Sequence, residues 1–309
     1  MTGPEQDPGA GPAAMEGAGA APAGVGEDLD RVLRHLELTV TRRLDGLLRG
    51  AFPSASSGPG SDPDSAREYV VGDDVRMMDW SVTARTGVAH VRDPEAEREL
   101  ECWICVDSAP RLGTGSGTTT KRHLLAAATA VVTFLNDNPG DRTALLSDGV
   151  VTPPGQGRAH AMRLIASAAR HVGAAGLAVD LASLQSRAPR AGLVVVISDF
   201  LGDLAWAQPL KVLGARTDVL AIRLIDPADE ALPGEGPVVL SDPATGENLE
   251  VDVDDATRER YARAAAAHTA KVLNGLRAAR ARVVELRTDR DWVTDFARQM
   301  APTAPGAPR

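Results

Sequence analysis

The stretch LVVVISDF, residues 193–200, has the pattern of a β-strand that is buried on both faces and ends at a carboxylate. Its aliphatic residues follow one another without a polar interruption, which is typical of a central strand in a parallel sheet. The stretch LECWICVD, residues 100–107, is also apolar and also ends on an aspartate. A third apolar strand is predicted at residues 218–225, directly before Asp226. These runs predict the centre of an α/β fold.

Segments with helical periodicity alternate with these strands through residue 300. The predicted helices span residues 121–136, 159–172, 181–187, 206–213, 255–279 and 292–300, and further strands are predicted at 143–147, 150–152 and 283–286. The dipeptide Asp148-Gly149 predicts a two-residue hairpin turn. A second, peripheral hairpin is predicted from residues 238–240 and 249–253. The alternation favours a mostly parallel, open sheet with helices on both faces.

The rest of the chain divides by composition. Residues 1–26 and 301–309 are rich in Ala, Gly and Pro, which predicts disordered tails because such segments bury little apolar surface. Residues 27–99 are predicted to contain an amphipathic helix, a Ser/Gly/Pro-rich loop at 53–63 and an appended segment that does not follow the alternation. Residues 100–300 form the predicted α/β domain.

Charge and hydropathy limit the classes of function. The 309-residue chain has a formal net charge of -9, which argues against a general nucleic-acid binder because such proteins present a basic face. No run reaches the roughly 18 apolar residues that a membrane-spanning helix needs. The first residues lack the basic start and apolar core of a signal peptide. A cytoplasmic location is therefore expected.

Three aspartates directly follow predicted strands: Asp107, Asp199 and Asp226. Ligands of open parallel sheets bind beyond the carboxyl ends of the strands. If the first two strands are neighbours, Asp107 and Asp199 face one crevice and could hold a divalent cation through oxygen ligands. The alternative is that these aspartates are ordinary turn residues and helix caps.

The stretch REYVVGDDVRMMDWSVTARTGVAHVR, residues 67–92, resembles the signature of the domain of unknown function 58 family. The matching residues are Arg67, Tyr69, Gly72, Asp73, Asp74, Arg76, Asp79, Trp80, Ala84 and Arg85. One interpretation is a network of paired charges in which Trp80 anchors the segment on the domain. The other is a partner-docking surface, for which Arg76, Asp79, Trp80 and Arg85 are the first candidates.

The resemblance implies a von Willebrand factor A-like fold and a role beside AAA+ ATPases of the MoxR type. Members of this family have no established enzymatic activity, so the chain is not expected to be an enzyme. The expected function is a non-catalytic interaction module, an adaptor or chaperone-like partner of such an ATPase. The alternative is a metal-dependent ligand binder or hydrolase that uses Asp107 and Asp199.

The resemblance also implies where a metal would lie. The metal motif of von Willebrand A domains is Asp-x-Ser-x-Ser, aided by a later aspartate, which here is matched by Asp199. Asp107 matches the first position, but Ala109 and Arg111 replace both serines. The Arg111 guanidinium could pair with Asp107 or Asp199 and take over the electrostatic role of the metal. We therefore expect a degenerate site with no tight Mg²⁺, which leaves room for weak Mg²⁺ binding and requires no other cofactor.

Cys102-x-x-Cys105 has the spacing of a redox pair but lies within a predicted strand. Reactive pairs start helices instead. Side chains three residues apart on a strand also point to opposite faces of the sheet. Two buried core cysteines are therefore predicted.

Overall fold

The computed structural model describes residues 66–92, 100–137, 140–170, 172–173 and 176–300. The predicted tails at 1–26 and 301–309, the amphipathic helix predicted within 27–99 and the loop at 53–63 lie outside the described residues. In chain order the elements are β1 (Ala66–Glu68), α1 (Trp80–Thr86), β2 (His90–Arg92), β3 (Glu101–Val106), α2 (Lys121–Leu135), β4 (Arg142–Ser147), β5 (Val150–Gly155), α3 (Arg158–Arg170), α4 (Leu177–Arg187), β6 (Ala191–Ser198), α5 (Ala207–Gly214), β7 (Asp218–Ile225), α6 (Pro227–Glu230), β8 (Gly236–Ser241), β9 (Asn248–Val253), α7 (Asp255–Ala278), β10 (Arg282–Arg287) and α8 (Trp292–Met300).

The central sheet of the described chain has six strands in the order β10-β7-β6-β3-β4-β5. Every neighbouring pair is parallel except β4 and β5, which form an antiparallel hairpin. Numbered along the chain from β3, the spatial order is 3-2-1-4-5-6, that of doubly wound α/β folds. The predicted fold class is confirmed: a mixed α/β, von Willebrand factor A-like fold with a mostly parallel sheet.

Both faces of the sheet are buried, as the unbroken apolar runs indicate. Ile104 and Val106 of β3 belong to one core cluster, which includes residues of α2, α3 and α8. Trp103 and Cys105 belong to a second cluster, which includes residues of α4, α5 and α7. Because successive side chains of a strand alternate between faces, one strand supplies both clusters.

The predicted turn at Asp148-Gly149 is confirmed. Both residues have positive φ, 53° and 74°, as a type I′ turn requires. β5 therefore runs antiparallel to β4 at the sheet edge. The peripheral hairpin is confirmed as well, since β8 and β9 pair with each other in a separate two-stranded sheet.

The signature segment folds into a strand pair and a helix that the sequence pattern did not predict. β1 and β2 pair antiparallel, and α1 lies between them in the chain. The Asp79 carboxylate caps the first turn of α1, and Gly87, with φ of 73°, ends it in the left-handed conformation. Both are standard helix boundary signals.

None of the helices that the structure describes combines the length and the apolar character needed to cross a bilayer.

We expect both cysteine thiols to be unreactive in the folded protein. Cys102 and Cys105 are buried, one in each core cluster. Burial raises the pKa of each thiol well above the ordinary value for cysteine. Thiol reagents attack the thiolate, which burial disfavours. Ellman's reagent at about pH 8, near the ordinary thiol pKa, should label neither cysteine until denaturant is added. Rapid labelling of the native protein would show that β3 opens readily.

Candidate functional site

Asp107 and Asp199 meet at the carboxyl end of the sheet. β3 and β6 are parallel neighbours, with Val106 opposite Ile197. The aspartates follow these strands at the point where the strand order reverses, and such points form the ligand crevice of doubly wound folds. Ser198 supports the arrangement, because its Oγ donates a hydrogen bond to Asp107 Oδ2 at 2.7 Å.

Arg111 lies between the two carboxylates. It belongs to a short 3-10 helix, Pro110–Gly113, that follows β3. Its Nη2 donates to Asp107 Oδ2 at 2.7 Å and to Asp199 Oδ1 at 2.8 Å, and its Nε donates to Asp199 Oδ1 at 3.0 Å. Although burial opposes it, the charges of Asp199 and Asp107 raise the pKa of Arg111. One guanidinium therefore joins both aspartates.

A second cation also contacts the Asp199 carboxylate. Lys121, the first residue of α2, is buried, and its Nζ lies 3.1 Å from Asp199 Oδ2 and 2.7 Å from Asp229 Oδ1. Burial raises the pKa of Asp229, against the opposing effect of Lys121. Arg111, Lys121 and the three aspartates form a connected ion cluster, called the switch-point cluster below.

Asp226 serves a different purpose from Asp107 and Asp199. Its carboxylate accepts hydrogen bonds from the N–H of Ala228, which caps α6, and from Thr288 Oγ1 at 2.6 Å. It also accepts hydrogen bonds from the backbone and side chain of Ser116. Burial opposes its ionisation, but the hydrogen bonds from Ser116 and Thr288 lower its pKa. Asp226 is therefore a helix cap, and it also links the loop at Ser116 to Thr288.

The residues of the switch-point cluster do not fit a tight Mg²⁺ site. Hard cations need several free oxygen ligands. Position 109 carries only a methyl group, and Arg111 and Lys121 already hold the carboxylate oxygens of Asp199. Among the described residues no set of three acidic, His or Cys side chains is placed to hold a metal. Weak or absent Mg²⁺ binding stays a prediction.

A crevice of about 740 Å³ opens beside the cluster. Asp107 and Arg111 line one part of it, and apolar side chains line most of the rest: Val172, Leu177, Val179, Phe200 and Trp206. Ala244, from the turn between β8 and β9, also contributes to the lining. The side chain of Arg111 is 32% exposed, whereas those of Asp107 and Asp199 are 5% and 0% exposed. Of Arg111, Asp107 and Asp199, only the guanidinium of Arg111 is therefore accessible to solvent to a substantial extent.

In the signature segment several charged side chains form hydrogen bonds or ion pairs within the segment. Arg67 forms two hydrogen bonds of 2.7 Å with Asp73, and these bonds lower the pKa of Asp73 to about 2. Asp74 caps the 3-10 helix Val75–Met77, and Asp79 caps α1. Gly72, with φ of 117°, lies in the turn between Val70 and Asp73, where the N–H of Asp73 donates to Val70 O. The backbone N–H of Tyr69 donates to Ala89 O.

The predicted anchoring role of Trp80 is wrong. Its side chain is 70% exposed, whereas Val82 of the same helix and Val91 of β2 are buried. Arg76 and Arg85 are exposed as well, and neither side chain has a hydrogen bond or ion pair with another described residue. The paired-charge interpretation thus holds for Arg67 with Asp73, but not for these three residues.

Two members of the switch-point cluster, Lys121 and Asp229, were missed in the sequence. A signal existed for each of them. Lys121 follows the capping Thr120, and a cation in the first turn of a helix opposes the helix dipole unless an anion compensates it. Asp229 stands three residues after Asp226, the spacing of a capping box, and the structure contains that box.

Two solved structures are similar in part. The conserved hypothetical protein BatB from Bacteroides thetaiotaomicron is 14% identical, with a TM-score of 0.43 over 65% of this chain and 96% of that one. The manganese-loaded TRAP protein of Plasmodium vivax is 14% identical, with a TM-score of 0.30 over 41% of this chain and 57% of that one.

Similar sequences occur in mycobacteria. An uncharacterized Mycobacterium tuberculosis protein, Rv1480, is 45% identical over 288 residues, which cover 90% of this chain and 91% of the relative. The uncharacterized Mycobacterium avium protein MAV169 is 45% identical over 139 residues, 44% of this chain and 82% of the relative. The model of the family described as protein of unknown function DUF58 matches residues 65–271, more than half of the chain. The chain belongs to the DUF58 family.

Proposed function

We propose that this chain is a non-catalytic interaction module that docks on a MoxR-type AAA+ ATPase through the exposed side of its signature segment. The docking residues are Val71, Val75, Arg76, Trp80 and Arg85, called the signature face below. The observation that carries the proposal is the exposure of Trp80. A tryptophan left 70% exposed at the start of a helix contributes little to folding, so a partner surface is a better account of it.

The composition of the signature face supports docking. Trp and Arg are the residue types that most often dominate the binding energy of interfaces. Val71 and Val75 add exposed apolar area. Arg76 and Arg85 add two cations whose side chains form no ion pair with a described residue. Such a mixture suits a partner surface that is apolar at its centre and acidic around it. The Arg67–Asp73 pair and the two aspartate caps hold the backbone that presents these side chains.

The switch-point cluster supports a non-catalytic role. General acids, bases and metal ligands need oxygen or nitrogen atoms that are free to meet a substrate. Here Arg111 and Lys121 hold Asp199, and Arg111 and Ser198 hold Asp107. The alternative, a metal-dependent binder or hydrolase, would first have to remove Arg111 from both carboxylates. That requirement makes it the weaker candidate.

The proposal predicts that Trp80→Ala strongly weakens ATPase binding without unfolding the protein. We expect binding of the purified MoxR-type ATPase from the same organism to weaken at least about thirtyfold, the effect of losing a hot-spot residue. Surface plasmon resonance with ATP or ADP present would measure it, and circular dichroism would check the fold. Leu249→Ala is the matched control, because Leu249 is 63% exposed on β9, outside the signature segment. The proposal fails if wild type does not bind the ATPase, or if both variants bind as wild type does.

A further inference from the structure

Exposed arginines gather at the amino end of the central sheet, the end opposite the switch-point cluster. Arg190 directly precedes β6, Arg216 lies two positions before β7, and Arg280 lies two positions before β10. These three strands are neighbours and run parallel, so their first residues lie side by side. Arg187, the last residue of α4, comes three positions before Arg190. These four residues are called the arginine face below.

The charges of the arginine face are not used within the described chain. None of the four side chains forms an ion pair with another described residue, and Arg216 donates one hydrogen bond, from Nη2 to Gln185 O at 2.8 Å. Arg216 and Arg280 line one cleft of about 370 Å³, in whose lining Asp218 is the acidic residue. Four guanidinium groups against one carboxylate leave this surface positive, although the whole chain has a net charge of -9.

Gly214 brings the two arginines of the cleft together. A Cβ on Gly214 would lie 1.9 Å from Ala279 O, so only glycine lets the ends of α5 and α7 approach this closely. Arg216 and Arg280 follow these two helix ends in the chain. Arg280 has φ of 56°, the left-handed conformation that glycine usually adopts after a helix. An arginine at a position that favours glycine indicates that its side chain has a use at the surface.

The hairpin of β8 and β9 carries the opposite charge. Residues 226–257 contain ten acidic residues and no Lys, Arg or His. Val239 pairs with Glu250 in the hairpin register, and Pro237 pairs with Asp252, so these side chains share one face, and all of them are exposed. Val239, Glu250 and Asp252 are called the hairpin face below. Its two carboxylates form no ion pair with a described residue, and the same holds for two exposed acids near the turn, Asp242 and Glu247.

The arginine face and the hairpin face lie at opposite ends of the sheet. The hairpin follows β7 and α6 at the carboxyl end, where Ala244 of its turn lines the crevice. The eight residues of β7 separate that end from the arginine face by about 26 Å. One molecule therefore cannot bring its own two faces together, and contact between them requires a second copy of the chain.

We propose that copies of this chain associate head to tail, with the hairpin face of one copy on the arginine face of the next. Glu250 and Asp252 of one copy pair with Arg216 and Arg280 of the other, and Val239 adds apolar contact between the pairs. Arginine and carboxylate form paired hydrogen bonds, and arginine often dominates the energy of an interface. Because the contact joins two different surfaces, it continues into an open chain or a closed ring of copies.

Sedimentation velocity of the full chain at rising concentration tests the proposal, and wild type should form dimers and then larger species. Arg216→Glu with Arg280→Glu reverses the arginine face, and Glu250→Arg with Asp252→Arg reverses the hairpin face. Each double variant alone should associate at least about a hundredfold more weakly than wild type, because like charges then meet. Mixed one to one, the two variants should associate again, since each face of one meets the opposite charge on the other.

A matched control is Arg170→Glu with Arg290→Glu, the same change of charge at two exposed arginines outside both faces. It should associate as wild type does, and so should Trp80→Ala, because the contact uses none of the signature face. Circular dichroism would check the fold of every variant. A wild type that stays monomeric at every concentration, or folded variants whose mixture stays monomeric, would overturn the proposal. Association lost only with the arginine face would mean that another surface covers that face, and the proposal would be wrong.

Discussion

Replacing Asp199 by alanine should destabilise the protein by about 3–5 kcal/mol, because the change leaves two cations short of their shared carboxylate in the interior. Asp199 is buried and accepts hydrogen bonds from both Arg111 and Lys121. Lys121 is only 2% exposed, so water cannot replace the lost carboxylate at its ammonium group. Urea unfolding would measure the loss, and a fall in Tm of about 2–4 °C per kcal/mol should accompany it.

The matched control for this prediction is Asp203→Ala. Asp203 lies four residues further along, is exposed and accepts one backbone hydrogen bond, so its loss should cost less than about 1 kcal/mol. Equal stabilities of Asp199→Ala and Asp203→Ala would show that the ion cluster contributes nothing to folding.

The expected loss does not mean that the cluster was selected for stability. Well-packed apolar residues often replace a buried ion pair without cost, so a buried pair is weak support for a stabilising role. What the cluster does achieve is order at the crevice. Lys121 joins β6 to the helical turn α6 through Asp199 and Asp229, and Arg111 joins β3 to β6 through Asp107. The guanidinium of Arg111 is thereby held in one place between β3 and β6.

Most of the fold could be predicted from local pattern. The aliphatic strands β3, β6 and β7 are unbroken because helices cover both faces, and each ends at an aspartate where the chain turns. The dipeptide Asp148-Gly149 identified the hairpin because few other residues tolerate two positive φ angles. Parallel order then placed Asp107 and Asp199 together, since all carboxyl ends of such strands lie at one edge.

The parts that sequence reasoning missed depend on contacts between distant residues. Lys121 and Asp229 are 108 positions apart, and no local pattern pairs them. The exposure of Trp80 was also unpredictable, because tryptophan is usually buried and α1 is too short for its periodicity to show an inner face. The two ends of α1 were easier to predict in principle. Aspartate at the start of a helix and glycine after its end are standard boundary residues, and Asp79 and Gly87 hold these positions.

The double variant Ala109→Ser with Arg111→Ser should bind divalent metal ions more tightly than the wild type does. It restores both hydroxyls of the Asp-x-Ser-x-Ser motif and frees oxygens of Asp107 and Asp199 that Arg111 now holds. Removal of the guanidinium should first lower the stability, because the two aspartates then repel each other. Mg²⁺ or Mn²⁺ should reverse that loss, by about 2.7 kcal/mol at a concentration one hundred times the Kd. Thermal unfolding over a metal titration would measure the rescue.

Asp107→Ala on the same double-variant background is the control, since it removes an oxygen ligand and should abolish the rescue. Lys121 makes the test demanding, because its Nζ still holds Asp199 Oδ2 in the double variant and competes with the metal for that carboxylate. A rescue despite Lys121 would mean that the two aspartates require a cation between them, and that the Arg111 guanidinium supplies this cation in the wild type. If no divalent cation rescues the double variant, the guanidinium is a structural link between β3 and β6, and the resemblance to a metal site ends at Asp107.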